Sequence, residues 1–124
     1  MRFARSRQIL GKTGEDLAVG ELCRQGYAIL ARRYRTRFGE IDIVARDGAA
    51  IVFVEVKARR SARCGTAAES ITAWKQRRIG AMALDYLAWA GRVDAPCRFD
   101  VVAIDGAGSP SVRIQLIRDA FALR

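Results

Sequence analysis

Asp42, Glu55 and Lys57 are the residues whose types and spacing can do chemistry in this chain. They lie in two apolar runs, Gly39-Glu40-Ile41-Asp42-Ile43-Val44-Ala45 and Ile51-Val52-Phe53-Val54-Glu55-Val56-Lys57, joined through Asp47-Gly48. Asp-Gly between apolar runs is a strong hairpin signal. Strand side chains alternate with period two. Ile51, Phe53, Glu55 and Lys57 therefore share one face, and Glu40, Asp42 and Val44 share a face opposite Ile41, Ile43 and Ala45. A turn over Asp47 to Ala50 sets Arg46 across from Ile51, Asp42 across from Glu55 and Glu40 across from Lys57. Carboxylates directly across a sheet, with Cβ atoms ~5 Å apart, repel each other. A cation between them removes that cost.

Taken alone, Glu-x-Lys on a strand is an ordinary surface ion pair. Here Val52-Phe53-Val54 and Val56 make the strand read as buried on both faces, and one lysine does not compensate two acids. Asp42 and Glu55 can hold a divalent ion, with the backbone carbonyl of Val56 as a further ligand. Such an ion acidifies a bound water and offsets charge on a phosphoryl group. Lys57 can orient that water or neutralise developing charge. Glu15 is a further ligand or base reaching in from a helix, and Glu40 competes for any of these roles. The chain has no histidine. His-ligated zinc, Ser-His-Asp and Cys-His catalysis are thereby excluded. Carboxylates suit hard cations such as Mg²⁺ or Mn²⁺.

The elements that must position these groups are legible in turn. Residues 1–10 read as a basic flexible arm, and 11–124 as a single domain. Thr13 is an N-cap candidate for a helix running to Arg24 and stopping at Gly26. Ala18, Val19 and Leu22 form its apolar stripe, with Glu15 in the middle of it. The alternative for Glu15 is a first-turn acid favoured by the helix dipole, its carboxylate in water. Strands are expected over 27–35, within 39–57, at 98–104 and at 111–117, with a basic connector at 58–65. A long helix is expected from Thr66 to Ala90, closed by Gly91, with Ile71, Trp74, Ile79, Met82, Tyr86 and Trp89 on its apolar face. Lys75 and Arg78 project from that face, Lys75 nearer the hairpin end. Asp100 reads as the buried partner of Arg98. The order α-β-β-β-α-β-β, with helices covering the sheet, predicts an α/β sandwich with a mixed sheet.

Lys and Arg number 22 against 13 acids, a net charge of +9. A strongly basic small chain favours a polyanionic partner, nucleic acid first. The charge clusters around the acidic hairpin: Arg32, Arg33, Arg35 and Arg37 before it, Arg59, Arg60 and Arg63 after it, then Lys75, Arg77 and Arg78. No apolar run approaches the ~20 residues that span a bilayer, and no secretory signal is read at the N-terminus. The three cysteines, Cys23, Cys64 and Cys97, form no Cys-x-x-Cys and are read as reduced thiols of a cytoplasmic protein.

The ordered set Gly14-Glu15, Gly26-Tyr27, Gly39-Glu40-Ile41-Asp42, Phe53-Val54-Glu55-Val56-Lys57 with Arg59, Lys75 and Arg98-Phe99-Asp100 covers nearly the whole chain. It resembles the small bacterial YraN-type family of the restriction-endonuclease-like, PD-(D/E)xK, nucleases, similar to archaeal Holliday-junction resolvases. The resemblance implies a three-layer sandwich with a central mixed sheet flanked by helices. It implies Mg²⁺-dependent phosphodiester hydrolysis with Glu15, Asp42, Glu55 and Lys57 as the catalytic set and Asp42, Glu55 and Val56 around the metal. Arg33, Arg35, Arg37, Arg59, Arg60, Lys75 and Arg78 are the candidate contacts to DNA, branched or otherwise structured. Members often carry an asparagine in the segment where this chain has Arg32-Arg33-Tyr34-Arg35. Resolvase-like enzymes act as two-fold dimers, and the strand 111–117 or the helix at Trp89 are candidate homodimer surfaces. Two readings are carried forward: a metal-dependent endonuclease, and a nucleic-acid-binding module that keeps the fold with little or no catalysis.

Overall fold

The computed structural model describes residues 14–59, 71–106 and 109–122. The arm at 1–10, the N-cap Thr13, the basic residues Arg60 and Arg63, and Cys64 lie outside the described residues. Helix α1 occupies 14–24. Strands β1 (Ala28–Thr36), β2 (Gly39–Asp47) and β3 (Ala50–Arg59) follow, then helix α2 (Ala73–Ala90) and strands β4 (Cys97–Asp105) and β5 (Arg113–Phe121). The five strands form one sheet in the order β1-β2-β3-β4-β5. Neighbours are antiparallel except β3 and β4, which run parallel. Parallel neighbours need a crossover, and α2 supplies it. The result is an α/β mixed sheet between two helices, consistent with the restriction-endonuclease-like sandwich.

The β2–β3 register pairs Asp47 with Ala50 and Arg46 with Ile51, so the loop is Gly48-Ala49. Gly48 has φ 59°, a left-handed value that glycine adopts without strain. Two cores form, one on each face of the sheet. Ile51 and Phe53 of β3 pack with Ile79, Met82, Tyr86 and Leu87 of α2. Val52 and Val54 pack with Ala18 and Leu22 of α1. Strand parity thus predicts the two faces of β3.

In β2 the alternation breaks. Ile41 joins Val44 in the α2-side core, whereas Ile43 and Ala45 join the α1-side core. The expected shared face of Ile41, Ile43 and Ala45 is therefore corrected. The break sits at Asp42. Across from it in β1, between the ladder pairs Arg32–Ile43 and Tyr34–Ile41, Arg33 has φ 52°. A left-handed residue inside a strand turns that strand locally, here β1, and changes the face its own side chain presents. Arginine has no preference for that region, while asparagine enters it readily.

Helix α2 also departs from expectation. It begins at Ala73, because the Thr72 side chain caps it by accepting from the Lys75 N–H. Ile71 is buried but precedes the helix. Trp74 and Trp89 lie outside its apolar stripe, at 58% and 74% exposure. Gly91 closes it as expected.

Asp100 is fully buried on β4. Its carboxylate accepts from Tyr27 Oη at 2.6 Å, Arg98 Nε at 3.1 Å and the Asp119 N–H at 2.9 Å. The last bond spans the irregularity between Phe99 and Val101 where β5 bulges against β4. Arg98 also bonds Asp47 at 2.6 Å. Burial disfavours charge on Arg98, but its bonds to Asp47, Asp100 and Tyr27 outweigh this and raise its pKa. The expected Arg98–Asp100 pair is thus one part of a larger knot tying the end of α1, the hairpin turn and β5 to β4. Asp100→Ala should lower the unfolding free energy by about 2–4 kcal/mol, since it strands the Asp119 N–H and removes the acceptor of the Tyr27 hydroxyl and one of the two carboxylate partners of Arg98. Urea unfolding measures this, and a loss under about 1 kcal/mol would show the knot to be dispensable.

Candidate functional site

The β2–β3 ladder ends at Ile43–Val54. One step further on, Asp42 and Glu55 meet where the strands stop pairing. Asp42 Oδ2 accepts from the Val56 N–H at 2.8 Å, so a side chain takes the place of a ladder carbonyl. The Asp42 and Glu55 carboxyls lie within hydrogen-bonding reach of each other. The N–H and C=O of one strand residue point to the same neighbour. The Val56 carbonyl is therefore directed to the side that holds Asp42.

This pair is electrostatically uncomfortable. Burial pushes the Asp42 carboxyl above its ordinary pKa, the Val56 N–H opposes the shift, and the charges of Glu15 and Glu40 add to it. Burial and the neighbouring Asp42 charge push Glu55 up to about 7, against the pull of Lys75 and Lys57. One cleft is lined by Glu40, Glu55, Lys75, Arg78, Ile79 and Met82. Lys75 reaches it from the first turn of α2, and Lys57 follows Glu55 on the same strand face.

Glu15 is held differently. Its two oxygens take Arg32 Nε at 2.9 Å and Arg33 Nε at 2.8 Å, and Arg32 also pairs with Asp16 at 2.7 Å. The structure therefore brings Glu15 close enough for its charge to act on Asp42, but commits its carboxylate to two arginines. Arg33 can make this bond because its left-handed backbone turns the side chain toward α1. Among the described residues, no group of three or more His, Cys, Asp or Glu is assembled to hold a metal. The donors that do fit a hard cation are the paired oxygens of Asp42 and Glu55 and the Val56 carbonyl, whose mutual repulsion a divalent ion relieves.

The basic residues separate into paired and unpaired ones. Arg35 lies 3.7 Å from Glu40, and Arg59 pairs with Asp105 at 2.9 Å. Arg37 lies over the Phe38 ring. Arg78 stacks on Trp74 and donates from Nε to the Phe38 carbonyl. The exposed pair Phe38 and Trp74 beside the carboxyls has no place in the sequence reading, which gave Trp74 to the core. The available signal was Phe38-Gly39 inside a run of arginines.

The model of the uncharacterised protein family UPF0102 matches residues 14–104, from α1 through β4. The chain belongs to this family. A UPF0102 protein of Symbiobacterium thermophilum is 48% identical over 116 residues, covering 94% of this chain and 98% of the relative. One from Geotalea uraniireducens is 50% identical over 114 residues, covering 92% and 90%. A third, from Ralstonia pickettii, is 50% identical over 117 residues, covering 91% and 90%. The UPF0102 match takes in both carboxyls, both lysines and, of the Asp100 knot, Tyr27, Asp47, Arg98 and Asp100 but not Asp119. Among the described residues no helix is long and apolar enough to cross a membrane, and Cys23 and Cys97 are free thiols.

The raised Glu55 pKa sets a pH dependence. A carboxyl whose folded pKa exceeds its unfolded value supports the fold at low pH, and that support fades as the pH rises from about 4.5 through about 7. Glu55→Gln should therefore stabilise the metal-free protein at pH 8, by on the order of 1–3 kcal/mol, and little at pH 4. If Asp42 and Glu55 hold Mg²⁺ or Mn²⁺, the metal should raise the melting temperature of the wild type more at pH 8 than at pH 5.5, because both carboxyls must lose their protons to bind it. Thermal melts across pH with and without metal check both statements. Equal metal effects in the wild type and in Asp42→Asn/Glu55→Gln would remove the pair as the binding site.

Proposed function

We propose that this chain is a divalent-metal-dependent endonuclease of structured DNA, working in the cytoplasm. The observation that carries the reading is the half-buried Asp42–Glu55 carboxyl pair at the point where two core strands part. A fold gains nothing by holding two acids together there, and a cation between them supplies what the pair lacks. Asp42, Glu55 and the Val56 carbonyl would hold Mg²⁺ or Mn²⁺, which when bound offsets phosphate charge and acidifies water. The chain's own residues do the rest. The Val56 N–H fixes the Asp42 carboxylate. Lys57 and Lys75 add positive charge beside Glu55 and stabilise negative charge developing on the phosphate. Arg33, Arg35, Arg37, Arg59 and Arg78 flank these strands, Arg60 follows Arg59 in sequence, and their charge suits a sugar–phosphate backbone. Glu15 joins as an additional acid once a phosphate competes for Arg32 and Arg33.

A second reading, a binding module of the same fold with little turnover, has one specific observation in its favour. Glu15 is tied to two arginines, and the described residues assemble no three-acid centre. Cleavage separates the two. In a panel of linear, flap and four-way DNA with Mg²⁺ and Mn²⁺, the endonuclease should cut at least one branched substrate. Asp42→Ala or Glu55→Ala should lower the rate by at least ~100-fold while largely sparing DNA affinity. No cleavage of any substrate with either metal leaves the binding module. Affinity should also fall steeply between low and physiological salt, and a flat response would contradict phosphate contacts.

A further inference from the structure

Trp74 and Phe38 are large aromatic side chains left in water, at 58% and 40% exposure. They come from different elements, the first turn of α2 and the turn between β1 and β2. Together with Arg77 and Arg78 they line one open cleft. Arg78 is its fixed wall. The guanidinium lies 5.3 Å from the Trp74 ring centroid, and its Nε donates to the Phe38 carbonyl. Gly39 leaves the room for this, since a Cβ there would lie 2.6 Å from the Arg78 terminal nitrogen. Arg78 also lines the cleft that holds Glu55, Glu40 and Lys75. The aromatic cleft and the carboxyl site are therefore neighbours that share a side chain. On the outer side, Arg37 covers Phe38 at 4.8 Å. Among the described residues no carboxylate lies within ion-pair distance of Arg37, Arg77 or Arg78.

Exposed aromatic rings, each backed on one face by an arginine with no acidic partner among the described residues, have the chemistry of a stacking platform for a nucleic-acid base, with cations beside it for the phosphates. A fully paired duplex offers no base face to such a platform. We infer that the Phe38–Trp74 cleft is a stacking subsite for one unpaired base of a DNA strand whose backbone runs across the Asp42–Glu55 site. This deepens the endonuclease reading and rests on its nucleic-acid part. It makes the substrate class DNA with an unpaired nucleotide next to the bond to be cut, as in a flap, a bulge or a splayed arm. The shared Arg78 wall keeps the stacked base beside the carboxyls.

The test is read in binding, without cleavage. The full chain is titrated, in metal-free buffer, into a short duplex carrying one bulged 2-aminopurine and into the same duplex fully paired. Binding of the wild type should quench the bulged 2-aminopurine as it stacks. Trp74→Ala and Phe38→Ala should abolish the quench and weaken the bulged duplex by ~10-fold, with a change under about twofold on the paired duplex. Trp74→Phe, which keeps an aromatic face, should restore most of the preference. Equal weakening on both duplexes, or no effect of Trp74→Ala, overturns the subsite. The two readings fail separately. Quenching by a wild type that cuts no DNA with Mg²⁺ or Mn²⁺ sinks the endonuclease and leaves the subsite standing. Cleavage with selectivity unchanged in Trp74→Ala does the reverse. A wild type that binds neither duplex overturns the subsite along with its basis.

Discussion

The structure depends on one substitution of partners: at the end of the β2–β3 ladder, a side-chain carboxylate takes a backbone N–H that a strand carbonyl would ordinarily take. Asp42 bonding Val56 lets the strands part without leaving a buried donor unsatisfied. The parting opens room for Glu55 to meet Asp42 between two cores that are otherwise apolar. The energetic consequence is that loss of water, with nearby acidic charge adding to it, raises the pKa values of both acids. Because the sheet is anchored on both sides, by α1 and α2 packing and by the Asp100 knot, the fold can hold this unfavourable contact in place.

Much of this is legible in the amino-acid order, for a physical reason. Strand side chains alternate strictly, so the α2 face of Ile51, Phe53 and Glu55 follows from counting. A hairpin with Asp47-Gly48 at its turn fixes which residues oppose each other. Asp42 and Glu55 are neighbours by this arithmetic alone. The same arithmetic fails for Ile41, which packs with the α2-side core although Ile43 and Ala45 pack on the α1 side, and the left-handed turn of Arg33 in the neighbouring strand is not announced by its residue type either. Long-range ion pairs are similarly silent. Nothing near Glu15 in sequence announces Arg32 and Arg33 as its partners.

Helix α2 shows where local signals compete. Apolar periodicity extends across 71–89, yet the Thr72 hydroxyl caps the backbone and starts the helix later. Trp74 and Trp89 sit at the margins of the stripe, where hydrophobicity alone does not distinguish a core position from a surface one. Their exposure is set by what the sheet leaves uncovered. In the first two turns of α2 this places an aromatic ring and two arginines around the approach to the carboxyls, a polarity the helix sequence does not display as a pattern.

The two left-handed residues, Arg33 and Asp119, share a further property. They lie on β1 and β5, the two outer strands of an open five-stranded sheet. An outer strand offers unpaired N–H and C=O groups to any other extended chain, and flat, uncharged edges invite stacking into aggregates. Here each edge carries a backbone kink and charged side chains, Arg32, Arg33 and Arg35 on one and Arg113, Arg118 and Asp119 on the other. The kinks that aim Arg33 at Glu15 and deliver the Asp119 N–H to Asp100 thus also spoil the sheet margins as templates.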